Sequence, residues 1–364
     1  MERGNVLLCA GGTGGHLFPA EAVAHELVSR GYTVHLATDE RAKRFTDTFP
    51  AAEIHTIRSA TFGSRNPIGV AKTIYKLAAG YFQSRKLIRK IEPVAVAGFG
   101  GYPTLPPLLA ASAMKVPTLI HEANAVLGRA NKFLSRRVSR VAIGFGDTDK
   151  LDGKEVTVTG NPVRPPVLEA ASQAYDLPDE KGTFRLLVFG GSQGARYFGA
   201  VLPEACALMS EDHRNRLSIV QQARPEDSES LKAAYDSLGV QAEVSTFFTD
   251  MAERIASAHL VISRSGASTV SELAVIGRPA ILVPYPYALD HDQAANAATV
   301  SSEGGAVIFK QSALVAEVLA DELSSAINDP KRLALAAKNA KKTGKPNAAI
   351  TLADMLEAFA KDGK

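Results

Sequence analysis

Cysteine is scarce in this chain of 364 residues: Cys9 and Cys206 are the only two. Both stand in apolar or helical surroundings, so buried, reduced thiols of a cytosolic protein are expected, not a disulfide framework. Long hydrophobic runs are missing too. No apolar stretch reaches the roughly 18 to 20 residues needed to cross a bilayer. Met1-Glu2-Arg3-Gly4 leads straight into a strand pattern, with no signal peptide in view. Charge of one sign is not in excess, and a net charge of +3 is too small to argue for a nucleic-acid partner. No close His/Cys cluster of metal-ligand spacing is visible. No protein-bound metal or other cofactor is therefore expected to be required. With 46% hydrophobic and 22% charged residues, the chain reads as soluble and globular. Its length fits two domains of roughly 150 to 200 residues.

What is present is a glycine-rich turn that occurs twice. Asn5–Ala10 runs into Gly11-Gly12-Thr13-Gly14-Gly15-His16, and Phe184–Phe189 runs into Gly190-Gly191-Ser192-Gln193-Gly194-Ala195. A short apolar run, a glycine turn and a helical pattern begin a doubly wound α/β domain, with a helix N-terminus open to an anion. Two such starts predict two Rossmann-like α/β domains facing each other across a cleft. Strand-like runs alternate with helical ones throughout, as in parallel βαβ units. In the first half they are Val6–Ala10, Thr33–Ala37, Glu53–Ile57, Val94–Gly98, Thr118–His121, Val138–Ile143 and Val156–Thr159. In the second half they are Arg185–Phe189, Leu217–Gln221, Ala242–Thr246, Leu260–Ser263, Ala280–Pro284 and Ala306–Phe309. Gly160–Pro166 holds three prolines, which continue neither a helix nor a central strand, so it is expected to connect the domains. The expected division is residues 1–163 and 164–346, with the last helix, Asn347–Ala360, packing back on the first domain.

His16 falls in the first helical turn after Gly14-Gly15. The partial positive charge there disfavours imidazolium, and a neutral imidazole can take a proton from a hydroxyl. A histidine that merely packs on the turn is the structural alternative. A dinucleotide site is the competing reading of the turn: Asp39 ends the second strand where a ribose-binding carboxylate would sit. Leu17, however, occupies the place of that fingerprint's third glycine. In the second half, Leu260–Ser263 leads through Arg264-Ser265-Gly266 into a helix beginning Ala267-Ser268-Thr269. Its N–H groups and hydroxyls suit a phosphate, and Glu272, one turn on, is in reach of a ribose diol. Capping by Ser268 and Glu272 is the structural alternative. Further on, Asp292, Gln293 and Asn296 offer amide and carboxylate groups that suit sugar hydroxyls.

One stretch is basic and apolar together. Arg65–Ile91 carries Arg65, Lys72, Lys76, Arg85, Lys86, Arg89 and Lys90 and no acidic residue. Val70, Ile74, Leu77, Tyr81 and Ile88 fit a core-facing stripe, which leaves Ile68, Tyr75 and Phe82 over. A second acid-free run holds Arg129, Lys132, Arg136, Arg137 and Arg140. A solvated face is the ordinary reading of such lysines. Spare apolar residues beside a surface of one sign are what peripheral binding to anionic lipid requires.

Several landmarks occur in a family's order over nearly the whole chain: Gly11–His16, Gly98-Phe99-Gly100-Gly101-Tyr102, His121-Glu122-Ala123-Asn124, Gly160–Arg164, Gly190–Ala195, Arg264–Glu272 and Asp290–Asn296. On them the chain resembles the lipid II-forming glycosyltransferases of family 28, which have the two-domain GT-B fold. It departs from them at Ala123 and in Pro103-Thr104-Leu105-Pro106-Pro107, a loop by expectation. The resemblance implies inverting transfer of N-acetylglucosamine from UDP-N-acetylglucosamine to the 4-hydroxyl of the N-acetylmuramyl unit of lipid I. It makes His16 the base and puts Tyr102 and Glu122 in the acceptor cleft. Thr13, Gly14, Gly15, Asn124, Arg164 and Ser192 would surround the donor diphosphate and sugar, with Phe248 by the uracil. Ala267 and Thr269 would hold the phosphates, Glu272 the ribose, and Gln293 the sugar hydroxyls. It also implies a peripheral protein on the cytoplasmic face of the bacterial inner membrane, held by Lys72, Lys76, Phe82, Arg85 and Arg89. Undecaprenyl-pyrophosphoryl-N-acetylmuramyl-pentapeptide and other wall-synthesis proteins would be its partners, and nucleic acid would not. A GT-B enzyme with another acceptor, a UDP-sugar 2-epimerase and a non-enzymatic nucleotide-binding module are the alternatives.

Overall fold

The computed structural model describes residues 3–45, 48–61, 66–146, 156–190, 196–288 and 292–362. The chain divides into two compact units, Met1–Arg164 with Lys345–Lys364, and Pro165–Gly344. The first holds strands β1 (Asn5–Cys9), β2 (Thr33–Thr38), β3 (Glu53–Thr56), β4 (Ala95–Gly98), β5 (Thr118–Glu122), β6 (Arg140–Ile143) and β7 (Val156–Val158). Among them lie helices α1 (Gly14–Ser29), α2 (Pro67–Ile91), α3 (Leu105–Ala113) and α4 (Arg129–Ser135). The second unit begins with α5 (Pro165–Ala170), β8 (Phe184–Phe189), α6 (Arg196–Leu208), α7 (Glu211–Arg216), β9 (Leu217–Gln222), α8 (Ser228–Ser237), β10 (Gln241–Ser245) and α9 (Met251–Ser257). It continues with β11 (Leu260–Ser263), α10 (Ala267–Ile276), β12 (Ala280–Leu282), α11 (Asp292–Ser301), β13 (Ala306–Ile308), α12 (Ala316–Asn328) and α13 (Pro330–Thr343). The last helix, α14 (Ala348–Asp362), belongs to the first unit.

Both sheets are parallel, in the orders β3-β2-β1-β4-β5-β6-β7 and β10-β9-β8-β11-β12-β13. Each runs outward both ways from its first strand, so β1/β4 and β8/β11 are the points where strand order reverses. In such sheets the turns at the carboxyl ends of that pair leave a crevice for ligands. Parallel strands covered on both faces must be apolar on both, and β1 is: Val6 and Leu8 join Leu17, Val23 and, from α14, Leu352 and Leu356. Leu7 and Cys9 join Leu87 and Ile88 of α2 and Leu108 of α3 on the other face. In the second unit Leu186 and Val188 pack with Phe198 and Leu202 of α6 and Leu323 and Ile327 of α12. Cys9 and Cys206 are free and buried, and burial pushes both thiols well up, Cys206 to about 12.

Four local expectations need correcting. The units part after Arg164 and rejoin at Lys345, because the Arg164 guanidinium stacks 3.9 Å over the Phe18 ring and the Lys345 side chain fills the space beside Gly160. Gly160–Pro166 is not wholly a connection: Pro165 and Pro166 open α5, where the missing N–H groups cost nothing. The same holds for Pro103–Pro107, which is a short 3₁₀ turn and the start of α3, not a loop. In α2 the buried line is Thr73, Gly80, Ser84, Leu87, Ile88 and Ile91, and Ile74, placed in the core stripe above, is 56% exposed. Midway along that line the neighbour is backbone: a Cβ on Gly80 would stand 2.0 Å from the Arg58 carbonyl, so no side chain fits there, and the large buried residues Leu87, Ile88 and Ile91 come only at the carboxyl end. More of the helix's apolar surface is therefore in water than the pattern predicts. Arg65 and most of the second glycine turn lie outside the described residues.

Two core histidines make stability depend on pH. His121 and His259 are 0% and 1% exposed, and burial, the largest cause for each, lowers both to about 4. The unfolded chain takes up these protons near pH 6.5, the folded chain only near 4, so stability is lost as pH falls through that window. Each group contributes roughly 3 kcal/mol to that loss. Urea unfolding at pH 7.5 and 4.5 should show His259→Gln and His121→Asn losing less stability on acidification than wild type. Equal losses in all three would sink the assignment.

Candidate active site

The carboxyl end of β1 and that of β4 are tied together: the Gly11 N–H donates to the Gly100 carbonyl at 3.0 Å. Gly100 and Gly101 have φ of +92° and +80°, which a side chain would strain. Thr104 holds the second of them, donating from N–H and hydroxyl to the Gly101 carbonyl. The imidazole of His16, two residues into α1, lies on this floor. A Cβ on Gly11 would stand 2.9 Å from His16 Nδ1, on Gly100 2.9 Å from Cδ2, and on Gly101 3.3 Å from Nδ1. Three bare glycines make the seat of the ring.

His16 Nδ1 is 3.0 Å from the Thr13 hydroxyl. With Nδ1–H donating to Thr13, Nε2 carries the lone pair, the tautomer a base requires. Burial lowers the His16 pKa to about 4, the Arg41 guanidinium lowers it further, and Asp39 opposes both. The ring is therefore neutral at pH 7, for these reasons more than for the helix end alone. Asp39, the carboxylate of the dinucleotide reading, is held by the backbone N–H and guanidinium of Arg41 and lies against Gly12. Tyr102 follows the cradle and is half-buried. Gly14 abuts the Phe18 ring, and Arg164 covers that ring, so Thr13–Gly15 and Arg164 form one neighbourhood.

Glu122 does not line a cleft. It is buried, and its carboxylate accepts from Asn124 N and Nδ2, Gly128 N and Asn131 Nδ2, at 3.0, 3.3, 2.9 and 2.9 Å. Burial raises its pKa, and the four donors pull it down. Its work is to shape the Asn124–Gly128 loop and to aim Asn124. Asn131, absent from the sequence reading, also donates to the His121 carbonyl, and a Cβ on Gly100 would stand 3.7 Å from its Nδ2. Its only sequence signal is an asparagine on the apolar side of α4.

In the second unit β11 ends in Arg264-Ser265-Gly266, with Gly266 as the N-cap of α10 and no side chain capping it. The N-cap position itself is a glycine, so Ser268 and Glu272 stand inside the helix, in its first and second turns. Ala267 is buried at the helix start, with Thr269 and Glu272 half-buried. The turn is locked from α11. Ser265 Oγ donates to the Gln293 carbonyl at 2.8 Å, and Asn296 Nδ2 to the Ser265 carbonyl at 3.2 Å. Gln293 Oε1 accepts the Tyr285 N–H at 2.9 Å, and Asp292 caps the Gln293 N–H at 2.7 Å. Arg264 is buried and bonded to the Val283 carbonyl and Gln311. The Phe248 ring is buried with Arg254 stacked 4.2 Å over it, and a ring so packed leaves backbone for a ligand. Ser192, the remaining donor residue, lies outside the described residues, as do Asp290 and His291. At the β1/β4 switch point stand Thr13–His16 and Tyr102, and after β11 stand Ala267, Thr269 and Glu272, with Gln293 of α11 bonded to the same turn.

The electrostatics of His16 can be checked directly. In a histidine-ring NMR titration it should change protonation near pH 4, with Arg41→Gln moving the midpoint up. A midpoint at 6.5 or above in wild type would remove the account of why the ring is neutral.

The chain matches the glycosyltransferase family 28 N-terminal domain over residues 6–143 and the family's C-terminal domain over 185–352. A Sinorhizobium fredii protein named UDP-N-acetylglucosamine–N-acetylmuramyl-(pentapeptide) pyrophosphoryl-undecaprenol N-acetylglucosamine transferase is 60% identical over 362 residues, 99% of this chain and 96% of its own. A protein of the same name from Chelativorans is 61% identical over 361 residues, again 99% and 96% of the two chains. The crystal structure of Acinetobacter baumannii MurG superposes with a TM-score of 0.77 at 31% identity, covering 97% of this chain and 99% of that one. A UDP-GlcNAc 2-epimerase from Neisseria meningitidis shares the fold alone, with a TM-score of 0.66 at 15% identity over 97% of this chain and all of its own. With both domain models matched across two Rossmann-like units, the chain belongs to glycosyltransferase family 28 and has the GT-B fold.

Proposed function

We propose that the protein transfers N-acetylglucosamine from UDP-N-acetylglucosamine to the 4-hydroxyl of the N-acetylmuramyl unit of lipid I, with inversion, giving lipid II and UDP. The observation that carries this reading is the neutral His16 ring on its glycine floor, one nitrogen turned to Thr13. Relatives about 60% identical over their length, named for this transfer, support the choice of substrates. The acceptor hydroxyl attacks the anomeric carbon while His16 Nε2 takes its proton, and the bond to UDP breaks on the opposite face. A base with a pKa near 4 holds a proton weakly. The diphosphate's negative charge nearby would raise that value toward the working pH. The N–H groups at the start of α10, with Ala267 and Thr269, take up the charge that grows on the leaving diphosphate. In this reading no metal or other cofactor is required. Glu272 receives the ribose diol and Phe248 the uracil through its backbone. Gln293, with Oε1 committed to Tyr285, offers Nε2 donors to the sugar. Thr13, Gly14, Gly15, Asn124, Arg164 and Ser192 complete the donor's surroundings, and Tyr102 faces the acceptor.

A lipid-linked acceptor requires work at a membrane surface, and no helix among the described residues is long and apolar enough to cross one. We assign the docking to α2, as a peripheral contact with anionic lipid on the cytoplasmic face. Ile68, Tyr75 and Phe82 are 77%, 67% and 66% exposed, and Ile74 joins them. Lys72, Lys76 and Arg89 project from the same helix into water, and Arg85 stacks over Tyr81. Each basic residue at such a surface contributes about 1 kcal/mol.

Acceptor-dependent UDP release with a short-chain lipid I analogue, and a disaccharide product by mass spectrometry, is the expected result. UDP binding without release would discard lipid I as acceptor. His16→Ala should cost at least about tenfold in rate with donor binding intact, and near-normal turnover would remove it as the base. Reversing Lys72, Lys76, Arg85 and Arg89 to Glu should reduce co-sedimentation with anionic vesicles without changing UDP-sugar binding. Undiminished co-sedimentation would refute the docking assignment.

A further inference from the structure

Apart from these sites, two histidines meet on neighbouring strands of the first sheet. β2 and β3 pair in parallel with His35 opposite Glu53 and Ala37 opposite His55, so His35, Glu53 and His55 share one face. His35 Nδ1 is 3.2 Å from His55 Nε2, and the rings stack 26° from parallel. His55 Nδ1 looks toward Glu53 Oε1 at 3.5 Å. One ligand atom from each of the three lies within 4.8 Å of the others, and no other such His/Cys/Asp/Glu group occurs among the described residues. Two nitrogens held 2.0–2.1 Å from a tetrahedral zinc ion stand about 3.3 Å apart, close to the separation these two already have.

We propose that His35, His55 and Glu53 form a binding site for a divalent transition-metal ion of the zinc class, which clamps the edge strand β3 to β2. The ligand set, two imidazoles and a carboxylate, suits zinc or cobalt rather than magnesium or calcium. The imidazoles are nearly in place: with His55 Nδ1–H turned to Glu53, the His35 ring need only carry its hydrogen on Nε2 instead of Nδ1 to present a second lone pair to the ion. Glu53 is half in water and free to turn from the His55 Nδ1–H, where it fixes the tautomer, toward the ion itself. The opposing group is Lys90 of α2, whose ammonium is 3.4 Å from Glu53 Oε2. It is largely exposed, and a cation at the site would displace it. β3 is a short edge strand, so an ion bridging it to β2 would add stability by mass action. None of these groups takes part in the transfer proposed above. The competing account is a neutral histidine pair sharing one hydrogen bond.

Cobalt and zinc decide between them, using the full-length chain without an affinity tag after dialysis against a chelator. Cobalt should give the visible absorption of a tetrahedral complex, saturate at a single ion per chain and be displaced by zinc. Zinc should raise the melting temperature of wild type and leave that of His55→Gln unchanged. Glu53→Gln, at an exposed position, should bind cobalt about tenfold more weakly, which keeps the test open if a histidine variant fails to fold. Lys90→Gln should bind more tightly at low salt. No absorption and no thermal shift in wild type would leave only the hydrogen-bonded pair. Equal affinity in wild type, His55→Gln and Glu53→Gln would place the ion elsewhere and overturn the assignment as surely.

Discussion

The first unit is arranged around one steric condition: an imidazole must lie flat against the ends of two neighbouring strands, where no Cβ fits. Gly11, Gly100 and Gly101 meet that condition, and two of them do so at backbone angles that favour glycine. The bond from Gly11 to Gly100 fixes the distance between the two turns, and Thr104 fixes the second turn's carbonyl. Loss of water is the largest cause of the ring's lowered pKa, Arg41 adds to it and Asp39 opposes both, and in the transfer proposed above the lone pair opposite the Thr13 contact would take the proton.

The second unit solves a different problem with the same topology. Here the strand-order reversal lies between β8 and β11, and the carboxyl end of β11 presents a helix start. The hydroxyls and amides around it face inward to hold the turn, Ser265 and Asn296 to backbone and Gln293 to the Tyr285 N–H. Those committed side chains make the turn rigid, and in the transfer proposed above the N–H groups at the start of α10, with half-buried Thr269 and Glu272 beside them, would meet the donor. A diphosphate asks for little more than a fixed row of donors.

Strands were legible from the chain because parallel strands buried on both faces have to be apolar runs, and glycine or proline marks most of their ends. Every strand in both sheets falls within a residue or two of its expected place. The prolines misled because proline is a stop within a helix and a start at its first turn, and Pro165 and Pro106 are starts. Glu122 misled for another reason: a carboxylate in a conspicuous motif looks like chemistry, whereas its four donors are all local backbone or amide groups. No periodicity reveals such a set of partners. His35 and His55 stand twenty residues apart, and only the register of β2 against β3 brings them together.

The case of α2 shows why a helix's buried face cannot always be found from its hydrophobic residues. Leu87, Ile88 and Ile91 pack on the sheet at its carboxyl end, where the partners are side chains. Farther back the partner is the chain after β3, whose Arg58 carbonyl comes so near Gly80 that only a missing side chain fits. Ser84 turns its hydroxyl onto the Gly80 carbonyl, and Thr73 takes the next inward place. Large apolar residues are therefore excluded from the inward line for half the helix, and those present must point out. An outward row of Ile68, Ile74, Tyr75 and Phe82 gains nothing for folding, and water exacts a cost for it. The basic residues between them keep that row soluble, and in the docking proposed above the same residues would supply the attraction to an anionic surface.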